Sequence, residues 1–92
     1  MAEKKAKVNV LNRKALERMR RGEIKVIVKG GLAFTYTIRS PLLNDKKLIV
    51  YEGNTLIMVT SRRKLVTDIV NYLEKQGMEP IAIYPVYQHS LV

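Results

Sequence analysis

The sequence predicts an α+β fold in which two helices accompany an antiparallel sheet of four to five strands, a meander of two hairpins. Alternating apolar runs flank Gly30-Gly31, and a second pair of runs flanks Gly53-Asn54, which is a strong signal for a two-residue hairpin turn. Between positions 65 and 73, apolar residues recur with the period of a helix. These observations predict a single domain over residues 8–92 with the element order α-ββββ-α-β.

The N-terminal region is predicted to be an arm followed by a short helix. Residues 1–7 are polar, basic and without periodicity, so we expect them to form a flexible basic arm. Residues 8–11, VNVL, fit either a short strand or the beginning of the helix. Asn12 is the expected N-cap of a helix through Arg21, and Gly22 is expected to end that helix.

The first hairpin, residues 24–39, is compatible with two registers. A two-residue loop would place Phe34 and Tyr36 on a surface flanked by Lys25 and Lys29, an arrangement that suits the stacking of bases. A three-residue or bulged loop would sort the apolar side chains onto one buried face. In that register the buried face carries Ile24, Val26, Val28, Phe34, Tyr36 and Ile38, and the opposite, basic face carries Lys25, Lys29, Thr35, Thr37 and Arg39. We favour the second register because it separates the two classes cleanly, and both registers keep the two lysines on the ligand side.

The second hairpin, residues 46–60, follows a predicted loop over residues 40–45. The expected cross-strand pairs are Tyr51 with Leu56 and Ile49 with Met58 on one face, and Val50 with Ile57 and Leu48 with Val59 on the other. Both faces are then apolar, so both should be covered. The helix that follows can cover one face, and a second subunit is the natural cover for the other, so we expect a homodimer.

The C-terminal part is predicted to contain one longer helix and a last strand. Ser61 is the expected cap of an amphipathic helix over residues 62–76, which Gly77 ends. A final strand is expected over residues 81–87, and Pro85 within it indicates an edge position or a bulge.

The charge of the chain is high and uneven. The 92 residues carry a formal net charge of +9 and have a pI near 10. Residues 1–29 hold ten basic and three acidic residues, so +7 of this charge lies in under a third of the chain. Such a field favours polyanions such as nucleic acid or an anionic membrane, and the N-terminal third is the first place to look for the contact.

Other features of the sequence exclude several classes of protein. The absence of cysteine excludes disulfide scaffolds and thiolate metal sites. No apolar run approaches 18 residues, and the N-terminus is charged rather than a signal peptide, so we expect a soluble, cytoplasmic protein without a membrane partner. The carboxylates are scattered without metal-ligand spacing, and no phosphate-binding glycine loop precedes a helix. We therefore expect no catalysis, cofactor, metal or small-molecule substrate.

Three cations at the start of the second predicted helix form the sharpest local feature. Arg62, Arg63 and Lys64 fall in its expected first turn, where the helix dipole disfavours each of them by about 0.3–1 kcal/mol. A bound phosphate makes the arrangement favourable, because the free N–H groups, the helix dipole and the three side chains then all attract the same anion. The alternative is that these long side chains extend into solvent or pair with carboxylates such as Asp68.

The first predicted helix carries five cations on about three turns. They form two adjacent basic stripes and comprise Arg13, Lys14, Arg18, Arg20 and Arg21. The dipole at a helix C-terminus explains Arg20 and Arg21 without any ligand. Glu17 is the only acid of this predicted helix, so few internal salt bridges can form. Two interpretations stay open: the cations contact nucleic acid, or they simply face solvent.

The composition is similar to that of small basic proteins from hyperthermophilic archaea and their viruses. Residues 24–60, with the helix at residues 62–76, resemble in their pattern of elements the ThermoDBP-related single-stranded nucleic-acid-binding proteins of such archaea. The resemblance covers just over half of the chain and lies in the pattern rather than in a signature motif. It implies single-stranded DNA or RNA held in a basic cleft beside the sheet.

Taken together, these features predict a non-catalytic protein that binds single-stranded DNA or RNA with weak sequence specificity. Cations hold the phosphates, and Phe34 or Tyr36 are the candidate stacking groups. The predicted site residues are Arg13, Lys14, Arg18, Arg20, Arg21, Lys25, Lys29, Phe34, Tyr36, Arg62, Arg63 and Lys64. The alternative is a ribosome-associated or protein-interaction module whose basic surface docks an acidic partner.

Overall fold

A computed structural model describes residues 8–41 and 47–86, so the predicted basic arm, residues 1–7, lies outside the described part of the chain. In these two ranges, six strands form one mixed sheet, and two helices accompany it. In chain order the elements are β1 (Asn9–Val10), α1 (Arg13–Arg18), β2 (Arg21–Val28), β3 (Ala33–Arg39), β4 (Leu48–Glu52), β5 (Thr55–Thr60), α2 (Leu65–Lys75) and β6 (Pro80–Val86).

The strands lie in the order β1-β6-β2-β3-β4-β5. The α+β class and the antiparallel meander β2 to β5 are confirmed. The prediction of four to five strands, all antiparallel, is wrong, because residues 9–10 form a strand that pairs in parallel with β6. Local sequence could not distinguish this strand from a helix start, since its partner, β6, is more than 70 residues away along the chain.

Helix α1 is shorter than the sequence predicts. Its N-cap is confirmed, since the Asn12 side chain accepts a hydrogen bond from the Ala15 backbone N–H at 3.3 Å. The helix ends at Arg18, however, and Arg21 begins β2, where it pairs with Arg39. Gly22 therefore lies inside a strand instead of ending the helix. Pairing of Arg21 and Gly22 with β3 decides this boundary, and it overrides the local helix signal.

The start of α2 also differs from the prediction. Residues 62–64 form a separate turn, in which Ser61 Oγ accepts a hydrogen bond from the Lys64 backbone N–H at 3.3 Å. The first helical residue is Leu65, and Lys64 occupies the N-cap position without a side-chain capping bond. The prediction that Arg62, Arg63 and Lys64 form the first helical turn is therefore wrong: they immediately precede it.

The apolar stripe and the end of α2 are as predicted. Leu65, Ile69 and Leu73 are buried on one side of the helix. At the C-terminus, the N–H of Met78 donates to the carbonyl of Leu73 and the N–H of Gly77 to that of Glu74, both at 3.0 Å. This is the Schellman arrangement, and it requires the positive φ of +83° that glycine supplies here.

The first hairpin adopts the favoured register. Val26 pairs with Phe34, and the N–H of Val28 donates to the carbonyl of Leu32 at 2.9 Å, which leaves a loop of three residues, 29–31. Gly30 and Gly31 both have positive φ, as such a loop requires. The apolar set consequently faces the helices, and the basic, hydroxyl-bearing set faces away from them.

The second hairpin has the predicted two-residue turn but a different register beyond it. Tyr51 pairs with Leu56 as expected, whereas a bulge at residue 57 shifts the remaining pairs. The observed pairs are Val50 with Met58, Ile49 with Val59 and Leu48 with Thr60, so three of the four predicted pairs are wrong. The bulge allows Ile57 and Met58 to pack against the core together, which alternation alone could not predict.

Strand β6 lies second in the sheet, so the prediction of an edge strand is wrong for the strand as a whole. The irregularity in its pairing with β2 lies between Pro80 and Ala82 and does not involve Pro85. Pro85 is tolerated because β1 pairs only with Ala82 and Ile83, which leaves the side of β6 away from β2 without a strand partner at Pro85. Tyr87, the predicted end of this strand, lies outside the described residues.

The molecule has two layers in its described part. Leu16 of α1 and the stripe of α2 form one buried cluster with the inward residues of β2, β3, β4 and β6, so both helices cover the same face of the sheet. The opposite face, here called the open face, carries the residues that alternate away from this core. They are Arg21, Glu23, Lys25, Ile27, Ala33, Thr35, Thr37, Arg39, Ile49, Tyr51, Leu56, Val59, Ala82, Tyr84 and Val86. Neither described helix has the length and apolar character needed to cross a membrane.

Candidate nucleic-acid interface

The antiparallel meander gathers cations at one end of the sheet, here called the arginine end. Strand β2 begins there with Arg21, β3 ends there with Arg39, and β5 ends there shortly before Arg62. The opposite end holds the hairpin loop at residues 29–31 and the end of α2. Antiparallel pairing brings the start of one strand beside the end of the next, and this places cations from distant segments together.

A cleft of about 590 Å³ lies between α1 and the beginning of α2, and we call it the arginine cleft. Four arginines line it, two from α1 and two from the turn that precedes α2. Its lining comprises Arg13, Leu16, Glu17, Arg18, Arg62, Arg63, Leu65, Val66 and Thr67. The structure therefore brings together the two cation groups that the sequence analysis treated separately.

The arginine cleft is strongly electropositive. Glu17 is the single carboxylate among the described residues of its lining, and it contacts Arg13 at 3.9 Å one helical turn away. Both of these side chains are more than half exposed, at 61% and 58%, so water and salt screen the pair and it contributes little. Four arginines and one carboxylate among the described lining residues give this cleft an excess of positive charge, which attracts anions.

The first turn of α2 adds to this field. Leu65, Val66 and Thr67, its first three residues, line the cleft, and the backbone N–H groups of a first helical turn have no acceptor within the helix. Asp68, the one acid of this turn, accepts a hydrogen bond from the Thr60 hydroxyl at 2.6 Å, which directs its carboxylate to the sheet. The dipole of α2 and the guanidinium groups thus both contribute positive potential inside the arginine cleft.

Two further clefts continue the basic surface around the arginine end. The first, about 720 Å³, shares Arg18 with the arginine cleft and adds Arg20 and Arg21. The second, about 760 Å³, shares Arg21 with the first and adds Arg39 on the open face. Each cleft shares a lining arginine with the next, and we call the three together, from α2 to the open face, the arginine track.

Two tyrosines lie on the open face, close to cations. Arg39 lies over the ring of Tyr51, with 5.6 Å between the guanidinium carbon and the ring centroid. Tyr84 is the cross-strand partner of Lys25, whose other partner is Thr35. Both rings are half-buried, so each is anchored on the sheet and still reaches solvent.

Several predicted site residues lie apart from the arginine track. Lys29 lies at the opposite end of the sheet, where it contacts Glu79 at 3.9 Å. Lys14 and Lys64 are exposed beside the arginine cleft and are not part of its lining. Lys25 lies in the middle of the open face, as predicted.

The two predicted stacking groups face the core. Phe34 is half-buried and packs against the core, and Tyr36 is completely buried with its ring edge-on to Tyr72 at 6.5 Å. Burial raises the pKa of the Tyr36 hydroxyl above its ordinary value, and the nearby Glu52 and Tyr72 raise it further. Tyr36 therefore cannot stack on a base in this register, and the stacking role predicted for it does not fit the structure.

Sequence reasoning missed the pair formed by Arg39 and Tyr51. The predicted faces already placed Arg39 on the basic side of β3, and the predicted pair of Tyr51 with Leu56 is observed. What could not be predicted was the alignment of β4 against β3, because the loop between them has no turn signature that sets a register.

The described residues contain no group of three or more histidine, aspartate and glutamate side chains that could hold a metal ion. Comparisons of the chain with protein-family models, with curated proteins and with solved structures find no match. The resemblance to the ThermoDBP-related proteins stays a prediction, and what this protein binds must be inferred from its own residues.

Proposed function

We propose that this protein is a non-catalytic nucleic-acid-binding protein that holds the phosphates of single-stranded DNA or RNA in the arginine cleft and along the arginine track. One observation carries the proposal: arginines from α1 and from the turn before α2 converge on one cleft with the first turn of α2. Four like charges near the positive end of a helix dipole attract an anion to this cleft.

The chemistry of the cleft matches a phosphate group. A guanidinium group donates two parallel hydrogen bonds to phosphate oxygens, and the free N–H groups of a helix start bind the same kind of anion. The excess of positive charge in the cleft attracts a phosphodiester, so binding should be strong at low salt and weak at high salt.

The shape of the track favours a flexible strand of weakly specific sequence. It passes from the helix side around the arginine end to the open face, a path that a single strand can follow more easily than a stiff duplex. Among the described residues that line the arginine cleft there is no asparagine or glutamine, so contacts to phosphates should outweigh base readout there.

A salt titration tests this proposal. A fluorescently labelled single strand of DNA, the same sequence as RNA, and the DNA duplex are each titrated with the full chain from ~50 mM salt upward. We expect single strands to bind more tightly than the duplex. The logarithm of the binding constant should fall linearly with that of the salt concentration, by about 0.7 per phosphate contacted in a single strand.

Two double variants with equal net charge distinguish a site from a diffuse field. Arg18→Gln with Arg63→Gln removes two cations of the arginine cleft, whereas Lys29→Gln with Lys75→Gln removes two cations at the opposite end of the sheet. We expect the first variant to lose about 1.4 from the salt slope, that is, two phosphate contacts, and the second to lose much less.

Equal losses in the two variants would contradict a localised site and would indicate only a general attraction between the chain and polyanions. Absence of binding at ~50 mM salt would contradict the proposed function as a whole. That result would favour the alternative in which the basic surface docks an acidic protein partner.

A further inference from the structure

The open face has a polar region over β6, β2, β3 and β4. One row across the sheet consists of Tyr84, Lys25 and Thr35, and the next consists of Val86, Glu23, Thr37 and Tyr51. In the described part of the chain both helices pack on the other face. Aromatic rings, hydroxyl groups and cations therefore alternate on a surface that reaches solvent.

The charge of this region complements a polyanion. Among the described residues, Arg21, Lys25 and Arg39 lie on it together with one carboxylate, that of Glu23. A second copy of the chain would bring these three cations against the same three cations of its partner, which is unfavourable. A nucleic-acid strand brings negative charge instead.

The region also continues the arginine track. Arg21 lines the cleft that contains Arg18 and Arg20, and it lines the cleft that contains Arg39 and Tyr51. A strand whose phosphates follow the track therefore arrives on the open face next to a tyrosine. With neighbouring strands about 4.8 Å apart, Tyr51 and Tyr84 are separated by roughly 15 Å across the sheet.

From these observations we infer that the open face is a base-binding surface. The rings of Tyr84 and Tyr51 stack on bases of a single strand, and Lys25 and the threonine hydroxyls between them contact its sugars and phosphates. The inference rests on the proposed function and deepens it, because it assigns the bases and the phosphates to two adjoining surfaces. It predicts a preference for strands with accessible bases, which phosphate contacts alone do not require.

The test compares two ligands with the same number of phosphates: a single-stranded oligonucleotide and an abasic oligonucleotide of equal length. The unmodified full chain should bind the base-bearing strand at least tenfold more tightly at the same salt concentration. Tyr84→Leu should lose about tenfold for the base-bearing strand and very little for the abasic one. Tyr84→Phe, which keeps the ring, should bind as the unmodified chain does.

The outcomes separate the two proposals. Equal affinity for the two ligands, with a steep salt dependence, would overturn the base-binding surface and leave the phosphate site standing. Binding of neither ligand would overturn the proposed function and the inference with it. A dimer that Tyr84→Leu dissociates would show that this face joins two copies, and it would overturn the inference too. If Tyr84→Leu does not fold by circular dichroism, the comparison of the two ligands on the unmodified chain still decides.

Discussion

At the scale of single residues, Tyr36 carries the one buried side-chain polar atom of the described residues that lacks a hydrogen-bond partner. Its side chain is completely buried, and its hydroxyl has no hydrogen-bond partner among the described residues. The neighbouring Tyr72 differs, because its hydroxyl donates to Glu52 at 3.3 Å. A buried hydroxyl without a partner costs about 1–3 kcal/mol. The ring of Tyr36 is well packed and stabilises the fold, whereas its unpaired hydroxyl destabilises it.

Tyr36→Phe should therefore raise the free energy of unfolding by about 1 kcal/mol at neutral pH. Because folding raises the pKa of Tyr36, the folded chain keeps this proton above pH 10 while the unfolded chain loses it. The free energy of unfolding should then keep its full value below about pH 10 and decrease above it. For Tyr36→Phe, the free energy of unfolding should decrease less above about pH 10. Urea unfolding monitored by circular dichroism at pH 7 and at alkaline pH measures both effects.

The matched control is Tyr72→Phe, which removes a hydrogen bond and should lower the free energy of unfolding by about 0.5–1.5 kcal/mol. If both variants were destabilised equally, the Tyr36 hydroxyl would have to be hydrogen-bonded in solution.

At the scale of elements, the ends of α2 show what local chemistry controls. Its C-terminus follows the predicted rule, since Gly77 adopts positive φ and two N–H groups return to the last turn. Its N-terminus does not, because Ser61 caps a separate turn that carries two arginines into the cleft. The glycine signal in the sequence thus located the C-terminal end of α2, and the tertiary packing of Leu65 located its N-terminal end.

Gly77→Ala should lower the free energy of unfolding by about 1–2 kcal/mol, because an alanine in the left-handed region is strained. No atom lies within 4 Å of a Cβ built at this position, so the loss would come from the backbone and not from a collision. Gly77→Asn should lose less, because asparagine tolerates this conformation. Equal losses in thermal unfolding would contradict the assignment of the loss to backbone conformation.

At the scale of the whole molecule, the two edges of the sheet differ. Strand β1 is an edge of two residues, whereas β5 is an edge of six residues, TLIMVT, without charge or proline. Leu56 and Val59 on this strand are 50% and 53% exposed. An uncharged apolar edge is a ready template for another strand, although the bulge at residue 57 shortens its regular part. If the homodimer predicted from the sequence forms, β5 is its expected contact.

We therefore expect the chain to be dimeric in sedimentation equilibrium. The variant Val59→Lys should be monomeric, because it places like charges on the β5 strands of two copies that would pair with each other. Ile81→Lys is the matched control, since Ile81 is also exposed, at 41%, and lies on β6 away from this edge. A monomeric unmodified chain, or dissociation by the control, would contradict an interface at β5.

Most residues of the candidate site could be predicted from the sequence, but their positions relative to one another in the fold could not. The excess of cations in α1 and before α2 was visible in the sequence, and all four arginines of the cleft were predicted site residues. Lys29 looked equivalent to them, yet strand direction places it at the other end of the sheet. Stacking by Tyr36 belonged to the two-residue register, and the observed three-residue loop turns this ring into the core.

Features that depend on neighbours along the chain follow from the sequence alone: both hairpin turns, the buried stripe and glycine end of α2, and the positive charge. The parallel pairing of β1, the insertion of β6 beside β2, the bulge in β5 and the meeting of α1 with the turn before α2 follow only from tertiary contacts. Turn chemistry and periodicity act over a few residues, so they can be read locally. Strand order and the convergence of charges depend on contacts between segments far apart in the chain, and these form only when the whole core packs.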